Sequence, residues 1–205
     1  METYEQRLDS NFEWALQEGS MHFDKGNAVH KALRKVTKRL DELGIPYAVA
    51  GAIAMFFHGY RRFSDDVDIL VSREGLQEIH RQLEGLGYLP PFEGSKQLRD
   101  TDLGVRVEFL VTGEYPGDGK PKPVAFPKPE EASIEIEGIH FLQLPKLIEL
   151  KLASGMTNPR REKDLVDVQS LIETLDLPED FADKLHPFVR DKYKEKWTIV
   201  HTYPP

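Results

Sequence analysis

The stretch RRFSDDVDILV at residues 61–71 decides the fold of this chain. Within it, Asp66 and Asp68 alternate with apolar residues that continue to Val71. Because side chains alternate between the two faces of a strand, a strand here directs both carboxylates to one face and apolar side chains to the other. Mg²⁺ prefers oxygen ligands and commonly takes one or two protein carboxylates. The stretch therefore predicts a strand that carries part of a metal site, and two acids on a solvated face are the alternative.

A glycine lies at the end of the strand that is predicted before this stretch. Residues 47–50, YAVA, indicate a short buried strand that runs into Gly51, and residues 52–58 indicate a helix that Gly59 ends. A glycine at such a junction permits a tight turn, and the N–H groups of the following helix can face an anion. This junction predicts phosphate binding at Gly51 and Ala52.

A third carboxylate is expected from the strand predicted over residues 105–111. Apolar side chains alternate along one face of that strand, which leaves Glu108 on the other face. Burying an unpaired carboxylate is unfavourable, and a bound cation would offset that penalty. An arginine partner for Glu108 is the alternative. Asp100 and Asp102, in a polar and turn-like stretch, are the fallback candidates for the third carboxylate.

With these residues the sequence resembles the nucleotidyltransferase superfamily related to DNA polymerase β. The signature of that superfamily is a strand ending in Gly-Gly or Gly-Ser, a spacer of limited length, and then Asp-apolar-Asp. Here residues 53–65 separate Gly51-Ala52 from Asp66, and Ala52 replaces the serine that is frequent in the superfamily. The resemblance implies a third carboxylate from a neighbouring strand.

A finer resemblance points to small bacterial members of the superfamily. Arg62 and Ser64, placed before the two aspartates, are similar to the AbiEii-like and minimal nucleotidyltransferases of toxin–antitoxin and phage-defence modules. The segments KLA at 151–153 and REKDLVD at 161–167 are similar to the helical second motif of the AbiEii-like branch.

Lys151 lies on an apolar stripe of the helix that is predicted after Pro145. A lysine there needs an anion, either a triphosphate or a carboxylate such as Asp167. Asp164 and Asp167 are three residues apart and share one helical face. They are expected to orient Lys151 or to assist the nucleophile, and an ordinary ion-paired helix surface is the alternative.

The resemblance implies a metal-dependent transfer of NMP from an NTP such as ATP to a hydroxyl of a macromolecular acceptor, either a tRNA end or a protein. It also implies a role in toxin–antitoxin or phage-defence systems, with a cognate antitoxin as partner. The alternative is a non-catalytic protein of the same fold that serves as a binding or antitoxin partner. The resemblance implies the following residues: Asp66, Asp68 and Glu108 as catalytic ligands of Mg²⁺ or Mn²⁺, Lys151 as a further catalytic residue, and Gly51, Ala52, Arg62, Ser64, Asp164 and Asp167 around the nucleotide.

The order of predicted elements indicates an α+β fold, with a small mixed β-sheet flanked by helices and a C-terminal helical subdomain. The expected organisation is N-terminal helices at residues 1–44, a nucleotidyltransferase core at 45–143 and the helical subdomain at 144–205. Residues 5–17 carry a helical stripe of apolar side chains. A proline-rich loop at 116–129 carries three lysines that are within reach of a substrate if the loop borders the site, and a stiff surface loop is the alternative.

The bulk composition restricts partners and location. The chain has 205 residues, no cysteine, a net charge of −8 and a pI of about 5.4. An acidic chain without a basic run is unsuited to extended nucleic-acid binding, which depends on many phosphate contacts. No apolar run approaches the roughly 20 residues of a membrane span. The sequence predicts a cytoplasmic protein without membrane association.

Overall fold

The structure is a computed structural model that describes residues 2–203. Its helices are α1 (Tyr4–Ser10), α2 (Phe12–Phe23), α3 (Ala28–Glu42), α4 (Gly51–Phe57), α5 (Arg73–Leu83), α6 (Pro129–Ala132), α7 (Leu144–Thr157), α8 (Glu162–Thr174) and α9 (Pro187–Thr202), with 3-10 helices at Pro159–Arg161 and Glu179–Lys184. Its strands are β1 (Tyr47–Val49), β2 (Asp66–Val71), β3 (Tyr88–Leu89), β4 (Gln97–Asp100), β5 (Arg106–Val111), β6 (Ser133–Ile136) and β7 (Ile139–Leu142).

The strands form one mixed seven-stranded sheet in the order β3-β4-β5-β2-β1-β7-β6. β2 lies at the centre, antiparallel to β1 and parallel to β5. In the β2–β5 register, Asp68 is the Cα partner of Glu108. Since paired residues of adjacent strands project to the same face, the topology itself brings these two carboxylates together. The predicted fold class, a mixed sheet flanked by helices, is confirmed.

One hydrophobic core joins the helices to the sheet. It contains fully buried residues from α3, β2 and α8, for example Leu33, Val67 and Leu171. The alternation expected for β2 is present, because Val67 and Ile69 are buried while Asp66 and Asp68 are partly exposed. No helix in residues 2–203 is long and apolar enough to cross a membrane.

The apolar stripe over residues 5–17 does not form one helix. Asn11 ends α1 and begins α2, and its side-chain oxygen accepts a hydrogen bond from Trp14 N at 3.0 Å. Asparagine is a preferred N-cap because its side chain satisfies a free backbone N–H. A capping residue inside the stripe therefore divides it into two helices.

The polar stretch that includes Asp100 is part of the sheet. Asp100 ends β4, is fully buried, and lies 2.9 Å from Lys35, which also pairs with the exposed Asp102. The expectation of a turn-like segment at Asp100 was wrong. The strand was difficult to predict because it has only four residues and its partner β3 has two.

Candidate active site

Three carboxylates meet on one face of the sheet. One carboxylate oxygen from each of Asp66, Asp68 and Glu108 lies within 4.8 Å of the other two, and all three residues are partly buried. The first two come from β2 and the third from β5. We call these residues the acidic triad. Their spacing and oxygen chemistry fit a divalent cation such as Mg²⁺ or Mn²⁺.

Gly51 makes room for one of these carboxylates. Its φ is +62°, and a Cβ at this position would lie 1.8 Å from the Asp68 Oδ2. Only glycine tolerates both the left-handed backbone and this approach. From the sequence, Gly51 was expected to let a phosphate approach the backbone. The structure shows that the absence of a side chain at Gly51 also leaves space for the Asp68 carboxylate.

Asp66 has two partners within the site. An Arg106 nitrogen lies 2.5 Å from Asp66 Oδ2, and Ser64 Oγ lies 3.1 Å from its Oδ1. The expected alternative, an arginine paired with Glu108, was wrong, because Arg106 bonds Asp66 instead. Within the described residues Glu108 has no hydrogen bond or ion pair from its side chain. Ser64 thus orients a member of the acidic triad directly.

The crowding of negative charge alters the proton affinity of Asp68. Burial, together with the charges of Asp66 and Glu108, raises the pKa of Asp68 to about 7, while Lys151 and Arg161 act in the opposite direction. A carboxyl group that retains its proton near neutral pH indicates negative charge without sufficient compensation from the protein. Divalent cation binding would supply that compensation.

The raised pKa of Asp68 predicts a pH dependence of the stability of the metal-free protein. The folded state holds a proton on Asp68 up to about pH 7, whereas the unfolded chain releases it near the ordinary aspartate pKa of 3.8. Raising the pH through 7 therefore removes a stabilising contribution. In EDTA, Tm should fall more between pH 5 and pH 8 for the wild type than for Asp68→Asn. Equal slopes for the two proteins would show that Asp68 titrates normally.

A second charged group lies across the cleft, on α7 and α8. Lys151 Nζ lies 2.7 Å from Asp167 and 3.1 Å from Asp164, and all three residues are buried. Arg62 pairs with Asp167 at 3.2 Å, and Arg161 pairs with Asp164 at 2.9 Å. We call these five residues the α7–α8 charge cluster. The cluster has three cations and two carboxylates, so its net charge is positive, whereas that of the acidic triad is negative.

Neighbouring cations and a serine hydroxyl hold Asp164 in its charged form. Burial raises its pKa, but Lys151, the Ser154 hydroxyl and Arg161 together outweigh burial and hold the pKa of Asp164 below its ordinary value. Ser154 Oγ donates to Asp164 Oδ2 at 2.7 Å. Asp164 and Asp167 therefore pair with Lys151 at the cleft, and the interpretation that they orient this lysine stays a prediction.

Removing Lys151 should destabilise the protein. Lys151→Ala would remove the cation that Asp164 and Asp167 share and leave Arg161 and Arg62 as their remaining cationic partners, so the free energy of unfolding should fall by about 1–3 kcal/mol. Urea unfolding measures the loss. Lys163→Ala is the matched control, since Lys163 also lines the cleft but is exposed and forms no ion pair within residues 2–203. A Lys151→Ala protein as stable as the control would show that the buried pairing is energetically unimportant.

The two charged groups face each other across a cleft of about 390 Å³. Ala52 and Ser64 line this cleft together with the acidic triad and four members of the charge cluster, and the fifth member, Asp167, contacts Lys151. Leu110 and Phe126 contribute apolar side chains to its wall. All ten residues expected from the sequence thus lie in the cleft or contact a residue that lines it.

The proline-rich loop forms part of the cleft wall through Pro116 and Gly117. Its three lysines, Lys120, Lys122 and Lys128, are not among the residues that line the cleft, so their approach to a substrate stays a prediction. Lys122 is held within the loop, where its ammonium bonds to Asp118 and the Pro116 carbonyl at 2.5 Å each. The loop is anchored to α7, because Asn158 donates to the Gly117 carbonyl at 3.1 Å.

Arg106 and Ser154 also line the cleft, and the sequence did not single them out. A signal existed for Arg106, since it shares the polar face of β5 with Glu108. Ser154 follows Lys151 by three residues on the same helix, which places both on one face. The pairing of each residue with a particular acid had no local signal.

Several solved structures share the overall fold of this chain. The structure of ANT(2'')-Ia in complex with adenylyl-2''-tobramycin matches with a TM-score of 0.51 at 16% identity, over 82% of this chain and 97% of that chain. The solution structure of the antibiotic-resistance factor ANT(2'')-Ia matches with a TM-score of 0.53 at 15% identity, over 83% and 93% of the two chains. An antigenic nucleotidyltransferase-like protein from Paracoccidioides brasiliensis has a TM-score of 0.48 at 15% identity, over 85% and 88%.

The two likenesses to ANT(2'')-Ia show that the chain has the nucleotidyltransferase fold. No family model and no curated protein matches the sequence.

Proposed function

We propose that this protein is a metal-dependent nucleotidyltransferase that moves NMP from an NTP to a hydroxyl group. The observation that carries the proposal is the acidic triad, with oxygens within 4.8 Å of one another, facing the α7–α8 charge cluster across one cleft. A divalent cation and a triphosphate together match this arrangement of negative and positive charge.

Asp66, Asp68 and Glu108 would hold the cation, Mg²⁺ or Mn²⁺. When bound, a divalent cation neutralises phosphate charge and favours attack by a hydroxyl oxygen. The protein residues supply position and fixed charge. Ser64 keeps Asp66 oriented, and the missing side chain of Gly51 leaves Asp68 free to face the cleft.

Lys151, Arg62 and Arg161 would contact the triphosphate. Asp164 and Asp167 hold these cations in fixed directions before a substrate binds. Preorganised charges of this kind stabilise charge that develops on the phosphates and the departing group. Backbone N–H groups at Gly51 and Ala52 would assist, since Ala52 lacks a hydroxyl.

The reaction is a substitution at the α-phosphorus. The acceptor oxygen forms a bond to this phosphorus, the bond between the α-phosphorus and the bridging oxygen to the β-phosphate breaks, and pyrophosphate leaves. The acceptor hydroxyl gives its proton to a carboxylate. Glu108 is suited to accept it, because no hydrogen bond or ion pair to its side chain is present in the described chain.

For the acceptor, we propose a macromolecular hydroxyl, at a tRNA end or on a protein, and a toxin–antitoxin or phage-defence role with a cognate antitoxin as partner. Three exposed cations close to the two motifs, Arg61, Arg160 and Lys163, form no ion pair within residues 2–203 and support an acceptor that carries a few phosphates. The net charge of −8 argues against an extended nucleic-acid footprint.

The test is to incubate the protein with each α-labelled NTP and with Mg²⁺ or Mn²⁺. Each reaction then contains bulk tRNA, a neighbouring gene product, or no added acceptor. Label should appear on one acceptor, with stoichiometric pyrophosphate. NTP binding without transfer to any acceptor hydroxyl would favour the alternative, a non-catalytic binding or antitoxin partner. Release of inorganic phosphate without labelled acceptor would instead indicate a hydrolase.

A further inference from the structure

We propose that His22 is a positioning residue that fixes the loop at residues 60–65 in the geometry required for nucleotide binding. This loop joins α4 to β2 and carries Arg62 and Ser64. The kinetic part of the inference rests on the proposed function, whereas its structural part does not.

His22 bonds directly to the loop backbone. Its Nε2 lies 2.9 Å from the Arg62 carbonyl oxygen, and its Nδ1 lies 3.1 Å from Asn27 Nδ2. The Asn27 side-chain oxygen already accepts from His30 N at 3.0 Å, which leaves its amide nitrogen to donate to Nδ1. His22 therefore carries its ring proton on Nε2, and this N–H donates a hydrogen bond to the Arg62 carbonyl oxygen.

This bond holds a segment that is not stabilised by the hydrogen bonds of a helix or strand. Residues 60–65 lie outside any helix or strand. In the described chain, His22 is the only donor to the Arg62 carbonyl. His22 itself is fully buried, and its ring lies 5.0 Å from Phe63 and 5.2 Å from Phe56 between ring centroids. The anchoring side chain is thus buried and packed against aromatic rings.

The anchored loop reaches both halves of the cleft. The Arg62 guanidinium pairs with Asp167 in the α7–α8 charge cluster, and Ser64 donates to Asp66 in the acidic triad. A shift of this backbone would therefore misplace a phosphate contact and a metal ligand together. His22 acts from the N-terminal helices, with a side chain that does not line the cleft.

His30 provides an internal comparison. It is also fully buried, its ring centroid lies 4.8 Å from that of His22, and neither of its ring nitrogens has a hydrogen-bond partner. His30 shares the aromatic packing of His22 but makes no bond to the loop. Replacing each histidine identically separates packing from positioning.

The experiment compares His22→Gln, His22→Asn and His30→Asn. A glutamine nitrogen extends about as far as histidine Nε2, whereas asparagine ends near Nδ1 and cannot reach Arg62. Amide hydrogen exchange of residues 60–65, measured by NMR or mass spectrometry, reports on the loop without reference to activity. We expect roughly tenfold faster exchange in His22→Asn, with near wild-type exchange in His22→Gln and His30→Asn.

The kinetic prediction concerns the catalytic efficiency of nucleotidyl transfer. kcat/KM for the NTP should fall roughly tenfold in His22→Asn, because a phosphate contact and a metal ligand are displaced together, and His22→Gln should restore most of the difference. Equal changes in His22→Asn and His30→Asn, or no rescue by glutamine, would overturn the proposal. Changed loop exchange in a protein that transfers no nucleotide would instead refute the proposed function and leave the positioning role standing.

Discussion

Asp68→Asn is expected to reduce nucleotidyl transfer by about 10³-fold or more, because a cation ligand is lost at the point where phosphate charge must be neutralised. The fold should survive, since the substitution keeps the shape of the side chain and removes one of three close negative charges. The measurements are transfer rates at saturating NTP and Mg²⁺, cation affinity by calorimetry, and thermal unfolding in EDTA.

Asp102→Asn is the matched control for this prediction. It makes the same chemical change at an exposed carboxylate that pairs with Lys35 outside the cleft. Transfer by this variant should remain within about twofold of the wild type, as is usual for surface substitutions. If Asp102→Asn abolished transfer and Asp68→Asn did not, the acidic triad would be wrong as the cation site. Asp102, the fallback candidate for the third carboxylate, would then be a cation ligand instead.

Gly51→Ala is expected to have the second large effect. The added Cβ would lie 1.8 Å from the Asp68 Oδ2, so either the Asp68 side chain or the start of α4 must move. Cation binding should weaken by at least about tenfold and transfer by about 10²-fold, since small displacements of catalytic groups have effects of this size. Calorimetry with Mn²⁺ and single-turnover transfer measure the two losses separately.

Gly44→Ala separates this clash from backbone strain. Gly44 has a φ of +64°, close to the +62° of Gly51, but a Cβ there meets no atom within 4 Å. Both variants incur the left-handed penalty of about 1–2 kcal/mol. Only Gly51→Ala should lose cation binding. Similar cation affinity in the two variants would show that Asp68 does not depend on the space beside Gly51.

The central part of the site could be predicted from the sequence because its signals are local. Strand alternation placed Asp66 and Asp68 on one face, and the same rule selected Glu108 on β5. The strand from Asp66 to Val71 has the predicted limits. Lys151 was assigned an acidic partner because a charge on an apolar stripe requires one, and Asp167 is such a partner.

The remaining features depend on contacts between distant parts of the chain. His22 and Arg62 are 40 residues apart, and no periodicity relates them. Arg106 lies next to Asp66 on the paired strand, so its preference for Asp66 over Glu108 follows from strand register, which the sequence alone did not specify. The short strands β3 and β4 were missed because two to four residues carry too little alternation to distinguish a strand from a turn.

Arg106 gives the site a resident counter-ion. Its guanidinium bonds to one oxygen of Asp66, so under the proposed function a divalent ion would compete with an internal cation for the same carboxylate. Cation binding would then be an exchange, in which Arg106 gives up part of its contact with Asp66. A bound triphosphate would favour this exchange, because the released guanidinium would gain phosphate oxygens as acceptors. Metal and nucleotide are therefore expected to bind each more tightly in the presence of the other, a reciprocity that titrations in either order should measure equally.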